Sequence, residues 1–319
     1  MNLRVIKLGG SVLATKKDKE KCVKRINLKS DEKTIIVVSA MGRIGFPYST
    51  DSLSLLCNNV SINETDRMLS CGEIISSISF ASFLNEKGYS SRALSYLEIG
   101  LNVSKNSNNE NVYSIDKYYY EKYFANYDIL IVPGFIGIDK NNEVVTLGRG
   151  NSDLTAILLA ASFALKEVTL LKDVNGVYPF LIHPLKKYKP YSVIDFKNME
   201  QLIDSGAKIV SKDALIYAKN NNISIKILPY DNEGDGSLIT SYIDDLKVVG
   251  FFVKQKTFDI ITNYPCLIQE EMEELFFQKH LIVKNDYIKG NHYYFILDSS
   301  QLMYAKRLII EKYFKNHII

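Results

Sequence analysis

The sequence predicts an α/β protein: a mostly parallel sheet covered on both faces, followed by a smaller α+β module. Short, continuous apolar runs rich in β-branched residues recur between residues 3 and 228, as buried parallel strands require. Helical stretches separate them, and strand–helix alternation leads to a parallel sheet with helices on its faces. At residues 230–236 (YDNEGDG) the texture turns acidic, glycine-rich and aperiodic, as at a domain boundary.

Residues 3–8 form an apolar stretch that stops at Gly9-Gly10, and 34–39 (TIIVVS) is a second run of the same kind. The series continues at 128–132 (DILIV), 168–171 and 223–228. Helices are expected at 18–26, 65–84, 154–165 and 199–205. Past the boundary, strands at 248–253 and 258–262 precede a helix near 269–279. Strands at 281–283 and 293–297 and a helix at 300–314 complete the tail. The expected domains are residues 1–239 and 240–319.

Composition excludes several classes. Of 319 residues, 46% are hydrophobic and only 17 are Gly and 7 Pro, so apolar burial can offset the entropy of ordering. With 39 Lys and Arg against 36 Asp and Glu, and no basic block, nothing suggests a nucleic-acid footprint. The four cysteines show no metal spacing, which favours a reducing compartment. Residues 1–10 do not read as a signal peptide, and the longest apolar run, 154–165, is too short to span a bilayer. A cytoplasmic protein without membrane partners is expected.

Residues suited to anions gather at strand ends. In Lys7-Leu8-Gly9-Gly10-Ser11 the glycines would admit a phosphate to backbone amides, and the lysine supplies a point charge. In 146–153 (TLGRGNSD) Gly148 and Gly150 flank Arg149, whose guanidinium can grip a carboxylate or phosphate by two bonds. Asn151 or Ser152 is expected to cap the following helix. Residues 172–178 (KDVNGVY) bring Asp173 to a strand end, where parallel sheets place their ligand crevice. Each has a plainer reading alone: a βα turn, a capped surface helix, an Asn-Gly turn. Glu73 in SCGE reads alone as a solvated helix face, Lys208 in GAK as a surface charge. The four histidines, His183, His280, His292 and His317, have no metal spacing, and no metal ligands are expected.

Together and in this order, these stretches resemble the amino-acid kinase family, and within it the aspartokinases. The matching segments are KLGGS at 7–11, VVSAMG at 37–42, TDSL at 50–53, SCGE at 70–73 and GFIG at 134–137. LGRGNSD at 147–153, DVNGVY at 173–178, GAK at 206–208 and GSLI at 236–239 complete the set. The resemblance spans residues 3–240. Residues 39–53 look like the diaminopimelate- and lysine-pathway aspartokinases of Gram-positive bacteria.

The resemblance implies a three-layer αβα sandwich of the amino-acid kinase type with one small ACT-like C-terminal domain. It implies ATP and Mg²⁺ as cofactors, L-aspartate as substrate, lysine biosynthesis as pathway and a homodimer. Lys7, Asp153 and Lys208 inherit catalytic roles. Lys7, Gly9, Gly10, Ser11, Asp173, Tyr178 and Lys208 fall on the nucleotide side. Ser39, Thr50, Glu73, Arg149 and Ser152 fall on the acceptor side, with Glu73 meeting the substrate ammonium and Arg149 its α-carboxylate. An aspartate side chain titrates near ~3.9, so the acceptor needs no general base. The obstacle is charge repulsion, which positioned cations and amides relieve.

The chain departs from the family at several points. Val12 stands where a second hydroxyl is usual, and Asn151 replaces a glycine, which would suit a positive φ. Leu181, Ile182 and His183 replace Asp-Pro-Arg, and Ser211-Lys212-Asp213 replaces the segment after GAK. The shortened tail has Phe276, Phe277, Tyr293, Tyr294 and Phe295, read as core or interface. These departures leave two alternatives: a kinase for another amino-acid carboxylate, or a ligand-binding homologue of weak activity.

Overall fold

The computed structural model describes every residue except 1, 30, 106–110, 149, 181–187, 232–233 and 243–244. Its fold is mixed α/β with a largely parallel sheet and a separate four-stranded antiparallel sheet, the class the sequence predicted. The chain divides into two compact units, each discontinuous in sequence: residues 1–175 with 210–235, and residues 176–209 with 236–319. One crossing falls at Asp235–Gly236, inside the aperiodic stretch 230–236.

In the first unit, six parallel strands run in the order Ser224–Pro229, Glu167–Lys172, Leu3–Leu8, Lys33–Val38, Ile129–Pro133 and Ser91–Ala93. Alternation splits their side chains between two faces. Ile6, Leu8, Ile36, Val38, Ile129 and Ile131 pack with Cys22 and Ile26 of helix Lys16–Ile26 and with Phe80, Phe83 and Leu84 of helix Ile62–Glu86. The other face of the central strands lies under helix Ser152–Ser162, whose residues from Ser152 to Ala160 are all buried. Each large apolar side chain so buried contributes about 1.5–3 kcal/mol, enough to hold short strands together.

The Ile62–Glu86 helix begins three residues before its predicted start. Ser61 Oγ accepts from the Glu64 N–H while the Glu64 carboxylate accepts from the Ser61 N–H, a full capping box that S-x-x-E encoded. A second sheet, ordered Asn111–Ile115, Leu101–Lys105, Ile136–Ile138 and Val144–Thr146, has no counterpart in the sequence reading. Its first two strands are largely exposed, so no apolar run marks them.

In the second unit, Val193–Asp195 pairs in parallel with Ser237–Thr240 beside helix Phe196–Asp204. Four antiparallel strands follow, ordered Val248–Lys254, Thr257–Thr262, His292–Leu297 and Val283–Lys289, with helices Pro265–Gln278 and Leu302–Tyr313. The strand expected at 281–283 lies later, because Val283–Lys289 is a polar edge strand without an apolar run. Phe258 stacks on Phe295 at 4.7 Å and Phe276 meets Phe295 edge-on at 5.0 Å. Phe276, Tyr293 and Phe295 are therefore core residues, whereas Phe277 is 83% exposed. No helix among the described residues is long and apolar enough to cross a membrane.

Candidate active site

Lys7 stands one residue before the end of its strand, and alternation turns it toward helix Ser152–Ser162. There Asp153, in the first turn of that helix, meets two ammoniums. Lys7 Nζ lies 2.8 Å from Oδ1 and Lys172 Nζ lies 2.7 Å from Oδ2. Lys172 ends the neighbouring strand, in register with the end of the Lys7 strand through Leu8 and Leu171. The Lys172 contact is an aligned hydrogen bond; that of Lys7 is an ion pair off the hydrogen-bonding direction. Burial alone would raise the Asp153 carboxyl, but Lys172 and Lys7 together hold it below the usual carboxylate range. Burial also lowers the Lys172 ammonium. One carboxylate and two ammoniums leave a buried excess of positive charge, a costly state unless an anion joins it.

The glycine loop wraps the same strand end. A Cβ on Gly10 would sit 2.1 Å from the Ala40 carbonyl oxygen, so only glycine fits there. The close approach lets Gly42 N–H donate to the Gly10 carbonyl at 2.9 Å, while Ser39 N–H donates to the Leu8 carbonyl at 3.1 Å. Gly9 differs, since a Cβ there would stand 3.8 Å from its nearest neighbour, the Leu171 carbonyl oxygen. Gly9, Gly10, half-buried Ser11 and Ser39 thus gather at the C-terminal ends of the two central strands.

Glu73 is not a solvated helix residue: it is 2% exposed. Gly72 brings the helix against the 40–53 loop, since its Cβ would come within 2.6 Å of the Tyr48 carbonyl oxygen. That loop carries Thr50, the first residue of the short helix Thr50–Ser54, which Ser49 caps. Burial pushes the Glu73 carboxyl up to about 8, against the opposing pull of the Ala40 N–H and of Lys7. Glu73 Oε2 and, one turn on, Ser76 Oγ are buried without hydrogen-bond partners. Ser152 packs against the loop after strand Ile129–Pro133, where a Cβ on Gly134 would meet its side chain at 2.6 Å. The next residue, Phe135, is buried with a φ of +46°, a strained conformation for a bulky side chain.

Two expectations are corrected. Asn151 occupies the N-cap position, but neither it nor Ser152 caps the helix. The Asn151 Nδ2 donates instead to the Leu147 carbonyl at 2.6 Å and to Asp213 at 3.2 Å. Nor does Asn151 stand in for a positive-φ glycine: its φ is −86°, and the left-handed positions are Gly148 and Gly150.

Arg149 lies outside the described residues, as do 181–183. Asp173 pairs with Arg43, an exposed arginine the sequence reading did not single out. Asp66 was also missed; it accepts from Thr146 N–H at 2.9 Å and Thr146 Oγ1 at 2.8 Å, anchoring the strand before 147–150. Tyr178 and Lys208 belong to the second unit, Tyr178 half-buried and Lys208 an exposed loop residue. The main omission is Lys172. Its signal was present, since a lysine closing a buried apolar strand needs a partner.

No group of three or more His, Cys, Asp or Glu residues that could hold a metal occurs among the described residues. Asp153 and Asp173 already face lysine and arginine partners. A cavity of about 530 Å³ opens near the strand starts at Leu3, Arg4, Glu167 and Lys226, and no predicted site residue lines it.

The amino acid kinase family matches this chain over residues 2–229. Aspartokinase 1 of Bacillus subtilis (strain 168) is 32% identical over 248 residues, covering 76% of this chain and 61% of that protein. The aspartokinase of Rickettsia prowazekii (strain Madrid E) is 33% identical over 254 residues, covering 76% and 55%. The chain thus spans less than two thirds of the length of these relatives. Among solved structures, aspartate kinase from Synechocystis aligns with a TM-score of 0.66 at 20% identity, covering 97% of this chain and 55% of that one. E. coli aspartokinase III in complex with aspartate and ADP aligns with a TM-score of 0.63 at 17% identity, covering 94% and 79%. At such identities the structural matches establish the fold.

Proposed function

The chain belongs to the amino acid kinase family, and on that premise we propose that it phosphorylates the β-carboxylate of L-aspartate with ATP, giving 4-phospho-L-aspartate and ADP. One observation carries the reading: a buried carboxylate, Asp153, holds the ammoniums of Lys7 and Lys172 side by side at adjacent strand ends. The aspartokinase relatives support the choice of acceptor.

In this reading a β-carboxylate oxygen, already ionised, attacks the γ-phosphorus. The bond to the β-phosphate oxygen breaks, and ADP leaves with the electron pair. Lys7 and the loop Gly9, Gly10 and Ser11 hold phosphate oxygens, and Asp153 fixes the lysine heads. Lys208, Asp173 and Tyr178 serve the nucleotide. Glu73 takes the substrate ammonium, for which it must be ionised, so binding sheds a proton from a carboxyl pushed up to about 8. Arg149 takes the α-carboxylate, with Ser39, Thr50 and Ser152 as polar contacts. Mg²⁺ enters with ATP as part of the substrate and screens its charge.

The reading extends to the whole chain. Residues 1–239 form the kinase domain and 240–319 a single ACT-like domain. The protein acts as a cytoplasmic homodimer in a lysine-forming pathway, with no nucleic-acid or membrane partner. A panel of amino acids with MgATP and hydroxylamine tests it. L-Aspartate alone should yield hydroxamate, and Lys7→Ala should abolish the yield. Product from another amino acid would move the acceptor, and no product from any would overturn the proposal. Arg149→Ala should raise the KM for aspartate far more than that for ATP.

A further inference from the structure

We infer that Lys172 is a second phosphate-contacting cation of this site, gripping the transferred phosphoryl group beside Lys7 while Asp153 orients both ammoniums. The inference rests on the proposed phosphotransfer and gives a lysine outside the inherited site residues a direct part in it. Lys208, to which the motif assigns the second-lysine role, is an exposed loop residue. Lys172 is held on every side. Its strand neighbours are paired in register, Tyr230 N–H donates to its carbonyl at 3.1 Å, and its ammonium is fixed by Asp153 at 2.7 Å.

Charge balance argues for a ligand rather than a purely structural role. Lys7 alone neutralises Asp153, so the second, partly buried ammonium of Lys172 leaves the cluster positive. The nearby carboxyls do not cancel it. Glu73 is mostly protonated at neutral pH, and Asp173 is taken by Arg43. Such an excess is unfavourable in a poorly solvated site and becomes favourable when a multiply charged anion arrives. The terminal phosphate of a nucleoside triphosphate is an anion of this kind. Lys172 also keeps 16% of its side-chain surface, against 7% for Lys7, which leaves its head reachable.

The test compares Lys172→Met, Lys172→Arg and Lys208→Met in the full chain. ATP affinity is read by titration calorimetry, and kcat and KM by the hydroxamate assay. Lys172→Met should lose about 100-fold in kcat and about tenfold in ATP affinity, with the aspartate KM nearly unchanged. Lys172→Arg should recover much of both, and Lys208→Met should lose less than Lys172→Met. Folding should survive, because Asp153 keeps Lys7 as its partner. A lowered melting temperature with wild-type kcat and ATP affinity would make Lys172 structural and overturn the inference. If the unaltered chain phosphorylates no amino acid yet binds ATP, and Lys172→Met weakens that binding, the kinase reading fails while the Lys172 assignment stands. A chain that binds no ATP ends both.

Discussion

The strand ends of the first unit and the core of the C-terminal module are built from opposite materials. Around the ends of Leu3–Leu8 and Glu167–Lys172 the buried side chains include Lys7, Asp153 and Glu73, with half-buried Lys172 beside them and Glu73 Oε2 unpartnered. In the module the interior is Phe251, Phe258, Phe276, Tyr293 and Phe295, while ion pairs such as Lys284–Asp298 and Arg307–Glu311 stay exposed. The module's interior is an apolar core with its ion pairs left in water. The strand ends break that pattern by removing charge from water without full compensation, and violations of that kind concentrate at functional sites.

The contrast breaks most visibly at Asp153. Asp153→Asn leaves two buried ammoniums facing each other without their counter-ion. It should cost roughly 3–5 kcal/mol in a urea titration and abolish hydroxamate formation. Phe295→Ala should lower stability by a similar amount, about 3–5 kcal/mol, but for a different reason: a cavity. Activity per folded molecule should survive. If Phe295→Ala instead raised the aspartate KM with stability unchanged, the module would be more than a packed core.

Taken one pH unit at a time, the smallest effect appears as pH dependence. In the folded chain Glu73 keeps its proton up to about pH 8, whereas an ordinary glutamate releases it near 4.5. Between those values the folded state binds the extra proton. Stability from this group is therefore complete below about 4.5 and declines as pH rises toward 8, by up to ~1.4 kcal/mol per pH unit. Glu73→Gln should flatten that part of the profile in chemical unfolding at stepped pH. The aspartate KM of the unaltered chain should fall as pH approaches 8, because only the ionised carboxylate attracts the substrate ammonium, and the Gln variant should lose this trend.

Much of the fold was legible because long-range order followed from local pattern. TIIVV and DILIV can be little other than buried parallel strands, and helix Ser152–Ser162 is buried along a run, Leu154 to Ala160, that is apolar except for Thr155. Leu101–Lys105 and Val283–Lys289 were illegible or displaced for the converse reason: exposed, polar strands gain their stability from hydrogen bonding to neighbours. In the site, Lys7, Gly10, Glu73 and Asp153 were legible from motif order. Arg43 and Asp66 were not, because their partners Asp173 and Thr146 lie 130 and 80 residues away, whereas Lys172 closes an apolar strand and its need for a partner was readable there.

The sequence by itself determined the class of fold, the positions of the apolar strands and the glycines that let loops come close. These depend on local backbone sterics and on hydrophobic pattern, both written residue by residue. Only the tertiary structure decided that Glu73 is buried, that Asn151 turns away from its cap and that Lys172 shares Asp153 with Lys7. Burial and charge pairing depend on which distant segments meet, and the energy of an ion is set by its surroundings rather than by its own identity.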